Sequence, residues 1–388
     1  MKPKNLNVAG FCHQNFYDLK LSFEENFLKH GELGSAICVY HDGKPVVDLW
    51  GGFLDANRTK PWNKNTLCLM YSLAKSICAL SIHILADRQK LNLEKPVCDY
   101  WPEFALFNKQ NIKVRHCISH WCGVWSNENA KPGDIYDPKA MQRAIEEQRP
   151  EWEVEQKGAY NTINIGFICG AIVKNVTGKT IQKFICEEIV KPLNVNYYLG
   201  VPEEKLALCA EIIPNPEDSI HSAGKNPDSP VRRAWRAFPK NFGPTEQNSL
   251  RFKKAGVPSF GGFGDARSMA KIYALIANGG EIDGIRLLSA SSVKKALKLQ
   301  WSDLEDGLLK RPTSMAMGFM KNPPDGTPLF TEFADAFGHL GSGGARAFAV
   351  PSKNIAGTFI SNFQSERRSE GVRTENFINT VNTCIHQL

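Results

Sequence analysis

Ser72 and Lys75 have the residue types and the spacing of a serine nucleophile that carries its own base. They stand near the start of residues 66–88, in which apolar side chains recur at helical spacing. Side chains three positions apart lie on one side of a helix, and the amino end of a helix favours negative charge. This arrangement predicts an activated hydroxyl that attacks a carbonyl carbon. The same Ser-x-x-Lys spacing recurs at Ser222, Ser268, Ser291 and Ser292.

Two further features follow Ser72 in chain order. Tyr160 precedes an apolar stretch with helical spacing, residues 164–176, and its phenol can take or deliver a proton. Residues 337–344, FGHLGSGG, precede a strand-like run at 345–350. Their glycines allow the backbone to approach a ligand closely. The order of these features favours Ser72 over the other Ser-x-x-Lys matches.

Ser72-x-x-Lys75, Tyr160 and His339-Leu340-Gly341, in this order, resemble the serine β-lactamase-like superfamily. That superfamily contains class C β-lactamases, penicillin-binding DD-peptidases and family VIII carboxylesterases. The resemblance extends from about residue 31 to residue 362. Similarity to the esterase-type branch is carried by four further stretches: VVDLWGG (46–52), VRHCISHWCG (114–123), VTGKT (176–180) and LIANGGEIDGIRLLS (275–289).

The resemblance implies acyl-enzyme chemistry at Ser72. Ser72 would attack the acyl carbonyl and carry the acyl group. Lys75 would act as its base, provided that its surroundings lower its pKa. Tyr160 would share this proton network, either taking the Ser72 proton or delivering it to the leaving group.

The resemblance also implies a binding site for the carbonyl oxygen. The backbone N–H groups of Ser72 and Ser342 would form the oxyanion hole. His339 and Gly341, just before Ser342, would contribute to substrate binding. Neither a metal nor an organic cofactor is expected.

Two motifs depart from those of β-lactamases and peptidases. His339-Leu340-Gly341 stands where those enzymes have Lys-Thr-Gly, whose cation helps to hold the substrate carboxylate. Thr162 occupies the third position of the Tyr-x-Asn motif, whose amide hydrogen-bonds the substrate. Both changes remove polar anchors for an anionic amide. The expected substrate is therefore a small neutral ester, and the expected enzyme is a serine hydrolase of the carboxylesterase type.

Three other functions remain open. An acyltransferase would use the same acyl-enzyme, and the aromatic residues Trp235, Phe238 and Phe242 could bind its acceptor. A β-lactamase or DD-peptidase is disfavoured by the two changed motifs. A non-catalytic scaffold is disfavoured by the joint presence of Ser72, Lys75 and Tyr160.

Simpler interpretations apply to several candidate residues. Ser268 also begins a predicted helix, but a role near the helix cap explains it better. His116 and His120 have the spacing of two zinc ligands on one helical face. The glutamate of a metalloprotease motif is missing between them, so a structural role is favoured. Tyr160 could simply pack against the core, and His339 could be a structural histidine.

The element pattern predicts an α/β (α+β) fold of the β-lactamase type over residues 1–388. An antiparallel sheet flanked by helices would be built from about 1–70 and 260–388, with a mostly helical lobe at about 71–259 inserted. Residues 211–258 are expected to form a long surface loop or lid. The predicted elements include helices at 16–30, 138–148, 164–176, 181–192, 265–277 and 370–386, a hairpin at 35–50, and strands at 315–320, 345–350 and 355–362.

Composition agrees with a globular enzyme. The 388 residues are 42% hydrophobic and 22% charged, and the net charge of +7 is spread among acids, so nucleic-acid binding is not indicated. Eleven cysteines without a repeated spacing favour a reducing compartment. No apolar run is long enough to span a bilayer. A cytoplasmic protein with a small-molecule substrate is expected, and the sequence does not indicate its oligomeric state.

Overall fold

A computed structural model describes residues 7–215, 229–365 and 371–388. The strands are β1 (Val8–Cys12), β2 (Gly34–His41), β3 (Lys44–Gly52), β4 (Cys68–Leu69), β5 (Tyr197–Leu199), β6 (Gly262–Gly264), β7 (Glu281–Ile282), β8 (Ile285–Arg286), β9 (Trp301–Asp303), β10 (Thr313–Met315), β11 (Met320–Lys321), β12 (Phe337–Leu340), β13 (Arg346–Val350) and β14 (Ile355–Ser361).

The α-helices are α1 (Tyr17–Lys29), α2 (Leu73–Asp87), α3 (Val114–Ile118), α4 (Pro138–Glu147), α5 (Asn164–Thr177), α6 (Ile181–Ile185), α7 (Lys191–Leu193), α8 (Pro230–Ala234), α9 (Pro244–Gln247), α10 (Leu250–Ala255), α11 (Ala266–Ala277), α12 (Ala290–Ala296) and α13 (Val372–His386). A π-helical turn, Cys186–Val190, joins α6 to α7. Short 3-10 turns lie at Gln14–Phe16, Val97–Asp99, Pro102–Ala105, Asp134–Tyr136, Glu203–Leu208, Ser342–Gly344 and Pro351–Lys353.

One antiparallel sheet of nine strands forms the centre of the fold, in the order β1-β3-β2-β14-β13-β12-β11-β10-β9. β2 and β14 pair in its middle, with Cys38 opposite Thr358, so the two ends of the chain build a single sheet. β4, β6 and β5 form a second, smaller sheet. The predicted α/β fold with an antiparallel sheet and flanking helices is confirmed.

Alternation along β2 divides the core between the two faces of the large sheet. Ile37 and Val39 pack in the cluster that contains α1 and α13. Cys38 and Tyr40 point to the opposite face and pack in the cluster that contains α2 and α11. A helix layer therefore covers each face of the large sheet. α2 lies on the face to which Cys38 and Tyr40 point, next to the helical part of the chain.

Most of the predicted elements occur within a few residues of their expected bounds. The hairpin forms as β2 and β3, and its turn places Asp42 and Gly43 at φ angles of +48° and +71°. The predicted strand at 315–320 is wrong, because β10 ends at Met315 and β11 begins at Met320. Gly318, between them, adopts φ +88° with its Cα against Ala79 of α2, where a Cβ atom would not fit.

Residues 229–258 differ from the loop that the sequence predicts for 211–258, since they contain α8, α9 and α10. Ala234, Ala237 and Phe252 in this segment are fully buried. Helices of one or two turns are too short to show a clear apolar period, which explains why the sequence did not indicate them. The remainder of the predicted loop, 216–228, lies outside the described residues. The division into two lobes stays a prediction.

Two other expectations also involve residues beyond the described ranges. The Ser-x-x-Lys match at Ser222 lies outside them, and so does Glu370, where the last helix was expected to begin. Across 7–215, 229–365 and 371–388, none of the helices combines the length and the apolar character needed to cross a membrane.

Candidate active site

Ser72 lies in a tight turn that joins β4 to α2. Tyr71, just before it, adopts φ +48°, and Ser72 itself is the first residue with helical backbone angles. Tyr71 is held there by its phenol, which accepts from Gln364 Nε2 at 2.8 Å and donates to Gln247 Oε1 at 3.2 Å. A left-handed backbone at a bulky residue is uncommon and needs such support. The turn presents the Ser72 hydroxyl to a cavity at the amino end of α2.

α2 itself is buried on all sides rather than on one face. Every residue from Leu73 to Leu85 is buried, because α2 lies between the sheet and the helical part of the chain and contacts α5, α6 and α12. The sequence had indicated a single apolar face. Burial on all sides fixes the position of Ser72 and removes Lys75 from water.

Lys75 is fully buried, and its Nζ lies 2.9 Å from Ser72 Oγ. It donates a second hydrogen bond, also 2.9 Å long, to the backbone carbonyl of Ser259. Burial lowers the pKa of the Lys75 amine to about 7, because removal from water penalises the charged form. The sequence analysis left open what would lower the pKa of Lys75, and the structure indicates desolvation as the cause. The amine is poised to exchange a proton with Ser72 near neutral pH.

Ser259 is held in place by α5. Its hydroxyl donates to the carbonyl of Ile163 and accepts from the N–H of Gly166 at 3.0 Å. A Cβ atom at Gly166 would lie only 2.6 Å from Ser259 N and Oγ. Close approach of the two backbones therefore requires glycine at position 166.

We expect Gly166→Ala to lower the free energy of unfolding by about 1–3 kcal/mol, because the added methyl group overlaps Ser259. Gly170→Ala, on the same helix, is the matched control, since its Cβ atom would meet nothing closer than Ile181 at 3.5 Å. Alanine favours the helix, so this control should gain up to about 1 kcal/mol. Urea denaturation of both variants measures the difference, and equal stabilities would contradict the packing described here.

Tyr160 lies in the segment before α5, not at its first turn, and its ring is 7% exposed. The buried Asp306 carboxylate accepts the backbone N–H of Tyr160 at 3.0 Å and fixes the start of this segment. The Lys75 amine lies 5.2 Å from the centre of the Tyr160 ring. Burial raises the pKa of the Tyr160 phenol by more than the interaction with the Ser72 hydroxyl lowers it. The phenol therefore remains protonated near neutral pH.

His120 supports Tyr160 from one side. The two rings stack with centroids 4.9 Å apart, and His120 Nδ1 accepts the N–H of Asn161 at 2.8 Å. α3 ends at Ile118, and His120 adopts φ +61°, so His116 and His120 do not share a helical face. His116 instead contacts Glu155 through Nε2 at 2.9 Å. Among the described residues, no group of three or more potential ligands could hold a metal ion.

β12 carries the predicted third motif. His339 is fully buried, its Nδ1 donates to the carbonyl of Leu340 at 2.7 Å, and its ring centroid lies 5.9 Å from that of Tyr160. Burial, with a smaller effect of the nearby Lys75, lowers the pKa of the imidazole to about 3, so it is neutral. Gly341 lies against Met70, two residues before Ser72, and the chain then turns through Ser342.

The predicted residues converge on one cavity of about 240 Å³. Ser72, Tyr160, Thr162 and Ser342 line it directly. Lys75, His339 and Gly341 are not part of this lining. Lys75 is connected to the cavity by its hydrogen bond to the Ser72 hydroxyl. The hydroxyl of Thr162 is buried and has no hydrogen-bond partner among the described residues.

Sequence reasoning missed several residues that form the site. Ser259 and Asp306 hold Lys75 and Tyr160 through backbone contacts, which leave no spacing signal. His120 was expected to have a structural role, but its stacking on Tyr160 was not predicted. Gln247, Phe260 and Arg311 also line the cavity. The aromatic residues Trp235, Phe238 and Phe242 were noticed in the sequence, and they form a wall of this same cavity.

The other described Ser-x-x-Lys matches have structural contacts. Ser268 accepts the N–H of Asn196 at 2.7 Å, and Lys271 donates to the carbonyl of Leu193 at 3.0 Å. Ser292 donates to the Asp87 carboxylate at the end of α2. These contacts agree with the role near a helix cap that was expected for Ser268. Within the described chain, Ser72 is the match whose serine faces the cavity.

A family model described as Beta-lactamase matches residues 22–377, which is most of the chain. The chain belongs to the β-lactamase family. One relative is "Esterase/beta-lactamase LipL" of Mycobacterium tuberculosis (strain ATCC 25618 / H37Rv). The two sequences are 31% identical over 365 residues, which cover 92% of this chain and 83% of the relative. The suspected resemblance to the β-lactamase-like superfamily is thereby confirmed.

Solved structures agree with membership of the β-lactamase family. The crystal structure of a family VIII carboxylesterase has a TM-score of 0.88 at 28% identity, over 97% of this chain and all of the other. A penicillin-binding protein homologue from Caulobacter crescentus has a TM-score of 0.85 at 27% identity, over 98% of this chain and all of the other. The protein is therefore a hydrolase with the serine β-lactamase fold and carboxylesterase-like structural neighbours.

Proposed function

We propose that the protein is a carboxylesterase that cleaves neutral esters through an acyl-enzyme on Ser72. One observation carries the proposal. The Ser72 hydroxyl faces a largely apolar cavity and lies 2.9 Å from a buried lysine amine whose pKa is lowered to about 7. A hydroxyl with an uncharged amine beside it is an activated nucleophile.

In the first half of the reaction, neutral Lys75 takes the Ser72 proton while Ser72 Oγ bonds to the ester carbonyl carbon. The alcohol then leaves as its C–O bond breaks, and it needs a proton. Tyr160 supplies it, since its raised pKa keeps the phenol protonated. The Lys75 ammonium then returns the proton to the Tyr160 oxygen directly, since the acylated Ser72 oxygen carries no proton, and the proton count balances.

The carbonyl oxygen becomes negative as Ser72 attacks, and we propose that the backbone N–H groups of Ser72 and Ser342 stabilise it. Both residues line the cavity, and Gly341 packs against Met70 so that β12 and the α2 turn come close together. In the second half of the reaction, neutral Lys75 takes a proton from water as the water oxygen attacks the acyl carbon. Lys75 then gives this proton to Ser72 Oγ as the bond between Ser72 and the acyl group breaks.

A neutral ester fits this cavity better than an anionic amide. His339, where the β-lactamases have a lysine, is buried and neutral. Arg311 does line the cavity, but its charge interacts with the neighbouring Asp306 carboxylate. The predicted binding of substrate by His339 and Gly341 stays a prediction, and we assign His339 instead to the support of Tyr160.

Parallel assays with esters and a cephalosporin test this proposal. We expect kcat/KM for p-nitrophenyl butyrate to exceed that for nitrocefin by about 100-fold or more, because neutral His339 stands where β-lactamases have a lysine that helps to hold the substrate carboxylate. p-Nitrophenyl acetate serves as a second ester of lower apolar content. Faster turnover of nitrocefin than of both esters would contradict the carboxylesterase assignment.

Acyl transfer to an alcohol is the second candidate. The cavity-lining side chains of Trp235, Phe238 and Phe242 support it, since an apolar acceptor could compete with water there. Product analysis of the p-nitrophenyl butyrate assay in the presence of butanol distinguishes hydrolysis from transfer, because transfer yields butyl butyrate.

The cytoplasmic location also stays a prediction, supported by eleven cysteines that are all unpaired.

A further inference from the structure

The cavity beside Ser72 has one wall that is built almost entirely of aromatic rings. Trp235, Phe238, Phe242 and Phe260 all line it. Phe238 and Phe242 stack face to face, with centroids 4.2 Å apart and planes inclined by 6°. Phe260 meets both rings edge-on, at 5.3 Å and 5.9 Å. We name these four residues the aromatic wall.

The aromatic wall is fixed to the helical part of the chain. The carbonyl of Ala237 accepts from the N–H groups of Gly133 and Ile135, at 3.0 Å and 3.2 Å. Asn127 donates from Nδ2 to the carbonyl of Ala234 at 2.8 Å, and Arg233 pairs with Glu151. These contacts surround the backbone that carries Trp235 and Phe238, so the rings are positioned before a ligand arrives.

A fully buried ring also supports the wall from behind. Phe252, on α10, lies 5.8 Å from both Phe242 and Phe260 and does not line the cavity. A shape held in this way does not adapt to a long flexible chain. Its cavity, at about 240 Å³, is also smaller than the 300–1,000 Å³ of ordinary ligand pockets.

Another part of the cavity lining is polar. Tyr71, Gln247 and Gln364 form a hydrogen-bonded set there, next to Ser72. A ligand that spans the cavity must therefore place a polar group near Ser72 and an apolar group against the aromatic wall. Flat rings suit such a wall, since offset and edge-on contacts between rings are favourable.

We propose that the aromatic wall selects esters that carry one compact aromatic ring close to the ester group, such as benzyl or phenylacetyl esters. The inference rests on the proposed function, because it assigns a substrate class to the same cavity. Phe238 and Phe242 are its specificity-determining residues.

Three esters of similar intrinsic reactivity test this inference by pH-stat titration. Benzyl acetate carries the ring on the alcohol, ethyl phenylacetate carries it on the acyl group, and ethyl acetate carries none. We expect kcat/KM for at least one ring-bearing ester to exceed that for ethyl acetate by about 10-fold or more. Phe242→Ala should remove most of this preference, so that the ratio of kcat/KM between the favoured ring-bearing ester and ethyl acetate falls to about 2 or less.

Two further variants keep the test decisive. Phe242→Leu retains apolar volume while it removes the ring, so it replaces Phe242→Ala if the latter does not fold. Phe107→Ala removes an exposed ring that does not line the cavity, and it should leave the preference unchanged. Equal kcat/KM for all three esters, or a preference that survives both Phe242 variants, would overturn the inference.

Binding without chemistry separates this inference from the proposed function. N-benzylacetamide and N-ethylacetamide are amide analogues of benzyl acetate and ethyl acetate, and calorimetry measures their affinities directly. We expect the benzyl compound to bind about 10-fold more tightly, and Phe242→Leu to abolish the difference. Tighter binding of the benzyl compound without turnover of any ester would refute the esterase and leave the aromatic wall intact. Turnover of the esters at equal kcat/KM, together with equal affinity for the two amides, would support the esterase and refute the role of the aromatic wall.

Discussion

Ser72→Ala is expected to reduce ester hydrolysis to the background rate, a loss of about 10⁶-fold in kcat. The reason is that Ser72 is the described cavity serine whose hydroxyl lies 2.9 Å from the buried Lys75 amine, and removal of a nucleophile has an effect of this size in serine hydrolases. The fold should not change, because Ser72 makes no side-chain cap for α2. Initial rates with p-nitrophenyl butyrate, together with a urea denaturation curve, measure both expectations.

Ser268→Ala is the matched control for this experiment. Ser268 also stands three residues before a lysine near the start of a helix, but its hydroxyl accepts from Asn196 and does not line the cavity. The variant should lose some stability, by about 0.5–2 kcal/mol, and keep its ester activity. Residual activity of Ser72→Ala above that of heat-treated protein would place the nucleophile elsewhere.

Lys75→Met should lower kcat/KM by about 10²–10⁴-fold and should also remove its dependence on pH near neutrality. In the unmodified protein the neutral amine is the active form. Because burial lowers the Lys75 pKa to about 7, kcat/KM should rise with pH up to about 7 and level off above it. Rates between pH 5 and pH 9 measure this profile.

The two histidines and the tyrosine described at the site do not titrate near pH 7. Burial lowers the pKa of His339 to about 3 and that of His120 well below its ordinary value, while it raises the pKa of Tyr160. A profile with a midpoint near 7 therefore reports Lys75. A flat profile in the unmodified protein, or an unchanged profile in Lys75→Met, would contradict the assignment of the base.

Lys109→Met is the control for Lys75→Met, because it removes a buried lysine amine that is not at the candidate site. Lys109 is also fully enclosed, burial lowers its pKa to about 8, and its amine donates to the carbonyls of Glu146 and Gln148. It does not line the cavity. Removal of its amine leaves two carbonyl groups unpaired, so stability should fall by about 1–3 kcal/mol. The midpoint of the pH profile should stay near 7.

The sequence indicated the elements that have a strong apolar period. α1, α11, β13 and β14 formed close to their expected bounds. A single sheet built from both ends of the chain was also expected, although the pairing of β2 with β14 was not predicted. β12 was recognised only as a motif before a strand, although Phe337–Leu340 is itself a strand. Its glycine and histidine have little strand preference, and its pairing with β11 and β13 comes from tertiary contacts.

At the candidate site, too, the residues with a local sequence pattern were predicted, and those that act through contacts between distant segments were not. Ser72, Lys75 and Tyr160 were identified by type, spacing and order, and the structure brings them together. Ser259 and Asp306 were not, because each acts through a backbone group of a segment distant in sequence. His120 was expected to be structural, but its contacts with Asn161 and Tyr160 were not predicted. The lowered pKa of Lys75 likewise depends on burial, which no spacing in the sequence reports.

Covalent labelling of Ser72 tests the central claim most directly. The protein is treated with a fluorophosphonate probe, and intact-mass spectrometry is followed by peptide mapping. We predict one adduct per chain, on the peptide that contains Ser72, with no adduct in Ser72→Ala and an undiminished adduct in Ser268→Ala. The absence of any adduct, or an adduct on another serine, would contradict an acyl-enzyme mechanism at Ser72.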